Sequence, residues 1–235
     1  MARRYWYVII TYIIMQFSGY VFAPLLYVLT PLGLYDASVY WSVFSFIAGL
    51  VVVLWLMRPD MQQNVFRGNN QATLGQVILW AVAGLVMAYI SNLIASSIET
   101  GLLGINPTSE NTQKIMDITR SAPIFIVITS VIAPVLEEII FRKIIFGELY
   151  KRMNFFIAAA LSALIFSIIH GEPEHTLVYA SMGFVFAFLY VKTKRIIVPI
   201  LVHMALNSIS ALVLLLGPEK IQEQLEQMQT ALLPF

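Results

Sequence analysis

Glu137, Glu138 and Arg142 interrupt an otherwise apolar run, APVLEEIIFRKIIF at positions 133–146. Two further apolar stretches carry polar groups of the same kind. His170 ends FSIIH, and His203 and Asn207 stand in VPILVHMALNS. An ionisable side chain in hydrocarbon costs about 2.5–3.5 kcal/mol on insertion scales, so such residues turn to protein or water and by default mark function. Their spacing makes each group coherent. Glu138 and Arg142 are four apart, share a helix face and can pair. Glu137 is turned by about 100° from Glu138, free to face another neighbour. His203 and Asn207, also four apart, can enter one cavity, and Phe166 lies one turn before His170, where its ring can pack beside the imidazole. Pro134 and Pro199 each lie within about a turn of a polar group; a mid-helix proline frees a backbone carbonyl and bends the helix. Singly, these features read as an ion pair, interhelical hydrogen bonds and a helix end. Together they point to a water-filled reactive site. Glu172, Glu174 and His175, in the turn HGEPEH, read as surface residues, although the spacing of its two histidines invites a metal.

The elements that must position these groups follow from composition. Of 235 residues, 59% are hydrophobic and 11% charged, with a mean hydropathy of +0.81, against about 25% charged in a soluble domain. The expectation is an all-α polytopic membrane protein, one domain over 1–235, with a bundle of about seven transmembrane helices (six to eight) and a motif-bearing core at about 120–215. The apolar runs place helices near 5–29, 38–57, 74–98, 122–147, 155–170, 176–191 and 196–216, each close to the ~20 residues that cross a bilayer. The first run is too long for a secretory signal and reads as a span. The polar tail after Gly217-Pro218 reads as a short surface helix. With seven spans and a cytoplasmic N-terminus, eleven of the fourteen Lys and Arg, Arg67 among them, fall on the inner side. This predicts a multi-pass cell-membrane protein with its C-terminus outside. A net charge of +1 predicts no nucleic-acid partner, and the absence of cysteine excludes disulfides, thiolate metal sites and a cysteine nucleophile. One tension remains in this picture. Straight helices put Glu137 roughly 22 Å below the outer surface but His170 near the opposite end of the next span. Tilted or re-entrant segments, a different start for that helix, or a kink at Pro134 would close the gap.

EEIIFR at 137–142, FSIIH at 166–170 and HMALN at 203–207 resemble, in order, the three motifs of the CPBP family. These are CAAX proteases and bacteriocin-processing enzymes, or Abi proteins, a group of intramembrane endopeptidases. The resemblance covers about residues 120–215. It implies hydrolysis of a peptide bond in a membrane-anchored or lipidated substrate among membrane lipids. It also implies roles. Glu137 would be the general base on a water oriented by His170; a carboxylate in a low-dielectric cavity is suited to such base chemistry. His203 and Asn207 would donate to the oxyanion, and Glu138, Arg142 and Phe166 would support them. No cofactor is required by this account. The alternative is a zinc metalloprotease with Glu137, His170 and His203 as ligands. A catalytically silent adaptor or immunity protein and a small transporter using intramembrane Glu and His are the non-peptidase readings.

Overall fold

The structure, a computed structural model, describes residues 1–61, 71–106 and 109–232. Arg67 therefore lies outside the described residues. Nine helices and no strand are present among those described: α1 (Arg3–Phe17), α2 (Gly19–Leu29), α3 (Leu34–Met61), α4 (Leu74–Gly101), α5 (Glu110–Ser121), α6 (125–150), α7 (Phe155–His170), α8 (Thr176–Thr193) and α9 (Ile197–Leu232).

The chain shuttles between two ends. At one, Arg4 of α1 donates to Asp60 of α3 at 2.6 Å, and Lys143 of α6 reaches the Asp60 carbonyl at 2.7 Å. There also the Ala72 amide before α4 meets the Thr193 carbonyl at the end of α8. At the other end, Glu99 of α4 meets the turn between α7 and α8. The direction of travel thus alternates as seven traverses require, with α5 as a helix that sequence reading assigned to a loop. Length and composition are less generous than direction. Among the described residues three helices are long and apolar enough to cross a membrane, or four if the pair α1–α2, bent by 45°, is one span. The stretches Phe155–His170 and Ile197–Val213 are apolar but shorter, so the expected count of seven full spans is not reached by this measure.

Local sequence explains the boundaries. Thr73 and Gln76 form a reciprocal cap that starts α4, Asn154 caps α7, and Ser109 caps α5; each side-chain oxygen takes an amide that the helix leaves unpaired. Gly171, with φ of 73°, ends α7. Gly217, with φ of 73° and ψ of 151°, breaks α9, whose helix then resumes to Leu232. Pro199 sits in the first turn of α9, where no amide is needed, so it does not break a helix interior as expected from the sequence.

Pro134 behaves differently, because α6 is not a regular helix. π-turns over Ile128–Ile132 and Glu138–Phe146 alternate with α-turns, and π-turns recur at functional sites. This helix is the core of the molecule. Ile128, Leu136, Phe141 and Ile144 pack with Tyr5, Val8 and Tyr12 of α1 and with Val53 and Met57 of α3. A second core joins α4, α8 and α9 through Ala88, Phe186, Leu189 and Val202. Gly183 lets α8 close on α7: a Cβ there would lie 2.7 Å from that of Ala163. Small residues serve such close approach in membranes. Large apolar side chains such as Tyr20, Val28, Trp55 and Phe156 point outward, a surface suited to hydrocarbon.

Candidate active site

Glu137 and Glu138 lie where α6 passes from an α-turn into the longer π-turn, and α9 runs against this stretch. The His203 imidazole enters between the two carboxylates. Its Nδ1 is 2.9 Å from Glu138 Oε1 and its Nε2 is 3.6 Å from Glu137 Oε2. The neighbours are not equivalent. The Glu138 side chain is 0% exposed, whereas Glu137 is 13% exposed. Glu138 is therefore the fixed partner and Glu137 the one that a small molecule can reach.

Arg142, one turn on, is 3.3 Å from Glu138 through Nε. Its guanidinium is fully buried and lies over Phe166 and Phe186, 4.6 and 5.1 Å from their centroids. Cation–π attraction is worth about 2 kcal/mol or more when desolvated, which helps retain a cation whose Nη atoms have no hydrogen-bond partner among the described residues. Phe186 also stacks on His203, with centroids 5.0 Å apart and planes at 24°. The same aromatic ring thus holds the arginine and the histidine.

Asn207 donates from Nδ2 to the Thr129 carbonyl at 3.0 Å. The reason lies in α6. The Ala133 amide reaches back five residues to the Ile128 carbonyl. The next amide in that register would belong to residue 134, which is proline and has none. The Thr129 carbonyl is left for Asn207. The expectation that Pro134 frees a carbonyl holds, and the acceptor's new partner is itself one of the motif residues.

His170 makes no hydrogen bond or ion pair with either glutamate; the Phe166 ring lies between the two histidines, 4.4 Å from His170 and 6.3 Å from His203. The His170 Nδ1 lies 2.7 Å from the Phe166 carbonyl. A carbonyl only accepts, so Nδ1 carries the proton and Nε2 is left as an acceptor. The tension over depth eases because Phe166 neighbours both imidazoles, which places the His170 end of α7 beside the His203 stretch of α9.

Two readings of the turn after His170 are corrected. Glu174 is exposed as expected, but Glu172 and His175 are buried, at 5% and 7% exposure. His175 Nδ1 is 3.0 Å from Glu99 Oε2, and Glu99 Oε1 accepts the Val178 amide. Glu172 accepts from the Ser109 hydroxyl, the Asn111 amide and the Tyr179 hydroxyl. Glu99 and Tyr179 were missed because Glu99 stands at the polar end of an apolar run, where it reads as a boundary, and a tyrosine in an apolar helix carries no charge to mark it. Zinc would need several donors converging on one point. Among the described residues no group of three His, Asp or Glu is placed to hold a metal.

Comparison with known proteins bears on the same stretch. Residues 119–209 match the family model described as type II CAAX prenyl endopeptidase Rce1-like. The chain is 45% identical over 237 aligned residues to the "Putative membrane peptidase YdiL" of Bacillus subtilis, covering 98% of this chain and 96% of that one. It is 40% identical over 157 residues to the "Membrane-embedded CAAX protease MroQ" of Staphylococcus aureus, covering 64% of each. No solved structure matches.

Proposed function

We propose a mechanism from one premise: this chain belongs to the Rce1-like family of type II CAAX prenyl endopeptidases and is a membrane peptidase. Our reading is that it cleaves a peptide bond of a membrane-anchored or lipidated substrate with a water activated by Glu137. The observation that carries this is the His203 imidazole seated between Glu138 and the partly open Glu137.

The steps follow from the donors and acceptors. Glu137 takes a proton from the water, whose oxygen attacks the scissile carbonyl carbon. The bare Nε2 of His170 accepts the water's other hydrogen and orients it. The tetrahedral oxyanion is held by Asn207 and His203. Asn207 Nδ2 has two hydrogens; one is fixed on the Thr129 carbonyl, which sets the amide plane and leaves the second for the oxyanion. His203 donates from Nε2 when both its nitrogens carry protons, with Glu138 as the counter-charge at Nδ1. Glu137 then returns its proton to the leaving amine as the C–N bond breaks. Every group acts from a packed helix, as preorganised electrostatic stabilisation requires. We read the reaction as metal-independent.

The test is turnover of a quenched, membrane-anchored peptide reporter by the full chain. Glu137→Ala, His170→Ala and His203→Ala should each lose about 10²-fold or more. Cleavage at the wild-type rate by all three variants would defeat the proposal. Full activity after exhaustive chelation is expected; loss restored by added zinc would overturn the metal-independent step.

A further inference from the structure

We infer that Tyr179 is a positioning residue for His170, itself held by the buried carboxylate of Glu172; this rests on the role proposed for His170. The imidazole of His170 is gripped on two sides. Phe166 lies 4.4 Å away with planes at 57°, and Tyr179 lies 4.3 Å away with planes at 31°. Phe166 comes from the same helix as His170 and moves with it. Tyr179 comes from α8, so its place against α7 must be set from outside. Its hydroxyl donates to Glu172 Oε2 at 2.7 Å, which fixes the ring along its long axis.

Glu172 is fixed in turn. Its carboxylate accepts the Ser109 hydroxyl at 2.9 Å and the Asn111 amide at 2.9 Å. Ser109 is the cap of α5, its oxygen accepting the Thr112 amide at 3.0 Å. A carboxylate at a helix N-terminus is favoured by the helix dipole and by the unpaired amides there. The resulting path runs from the capped end of α5, through Glu172 and Tyr179, to the imidazole face of His170. With the proton held on Nδ1 by the Phe166 carbonyl, fixing the ring face aims the bare Nε2. A general acid–base group must be aimed this way to act on a water. A glutamate that merely closed the turn would not need a ring partner stacked on the histidine.

The chain has three histidines, so nitrogen-15 NMR of the histidine-labelled full chain in micelles can follow His170, with His175→Gln and His203→Gln used for assignment. The wild type should show His170 as a single tautomer, protonated at Nδ1. Tyr179→Phe keeps the ring and removes only the tether, and Glu172→Gln weakens the tether from its other side. In both, the His170 nitrogens should shift toward a tautomer mixture. On the membrane-anchored reporter kcat should fall about 10-fold with KM within about twofold, as small misplacements of a catalytic group do. A bulkier loss, Tyr179→Leu, should go further in the same direction; if it does not fold, the two conservative variants decide. Unchanged His170 signals in both, or shifted signals with unchanged kcat, would overturn the inference. Wild-type turnover by Glu137→Ala would instead defeat the proposed mechanism, while the NMR result would still judge the positioning.

Discussion

Among the described residues two buried glutamate–histidine pairs occur, and the difference between them separates a site from a staple. In each, an imidazole Nδ1 faces a carboxylate oxygen: 2.9 Å for His203 and Glu138, 3.0 Å for His175 and Glu99. All four side chains are buried. Neither the distance nor the burial distinguishes them. What differs is where the remaining atoms go. The second oxygen of Glu99 takes the Val178 amide, so that carboxylate is spent on both oxygens in pinning the α7–α8 turn to α4. The second oxygen of Glu138 faces Arg142, and the second nitrogen of His203 faces Glu137, which is partly open. A hydrogen-bonded pair becomes reactive machinery when it presents a free nitrogen to a reachable carboxylate.

The comparison breaks most easily at that carboxylate. Glu137→Gln preserves shape and removes the base, and reporter turnover should fall by about 10²–10⁴-fold. His175→Gln, which disturbs the other pair, should leave turnover within about twofold while lowering the unfolding temperature. Equal losses in the two variants would erase the distinction between site and staple. Next in size is Asn207→Ala, expected to cost about 10²–10³ in kcat with little change in KM. Pro134→Ala is a finer probe. It supplies an amide at position 134 that competes for the Thr129 carbonyl and releases Asn207. The helix should become more stable, since an interior proline costs about 3 kcal/mol, yet kcat should fall about 10-fold. A Pro134→Ala enzyme that is both more stable and fully active would show that Asn207 needs no anchor.

How much of this could be read from residues alone differs between the two pairs. The Glu138–Arg142 pairing, the His203 and Asn207 face and the Phe166–His170 contact follow from spacing of four, which regular helices translate into shared faces. The helix positions followed from apolar runs in the same way. That Glu137 and Glu138 both meet His203 was not legible, because it depends on α6 passing from an α-turn into a π-turn between them, and no residue type announces a π-turn. The Glu99–His175 pair and the Glu172 tether were missed for another reason. HGEPEH has the composition of a solvated turn, and only the docking of α4 and α5 buries it. The helix α5 was missed because its length and polarity match those of a long loop. Its cap, Ser109, stood outside any apolar run.

The smallest effect should come from acid, and it sharpens the comparison on the side of the staple. Burial pushes the Glu172 carboxyl upward, but the Asn111 amide, the Tyr179 and Ser109 hydroxyls and the nearby His175 outweigh it, and the net result lies below the ordinary glutamate value. A carboxyl lowered by folding contributes stability that is fully present above its unfolded pKa, about 4.3. That contribution is lost as pH falls through the lower folded value. The tether from α5 to the His170 turn should therefore be intact at neutral pH and weaken only in strong acid. Hydrogen exchange at the Asn111 amide, corrected for its intrinsic pH dependence, measures this directly. In the wild type its protection should hold from neutrality down to the glutamate range and then decline. In Glu172→Gln, which cannot titrate, protection should be lower at neutrality and flat with pH. An Asn111 amide that follows the same pH course in both proteins would place the titrating group elsewhere and free α5 from any hold on His170.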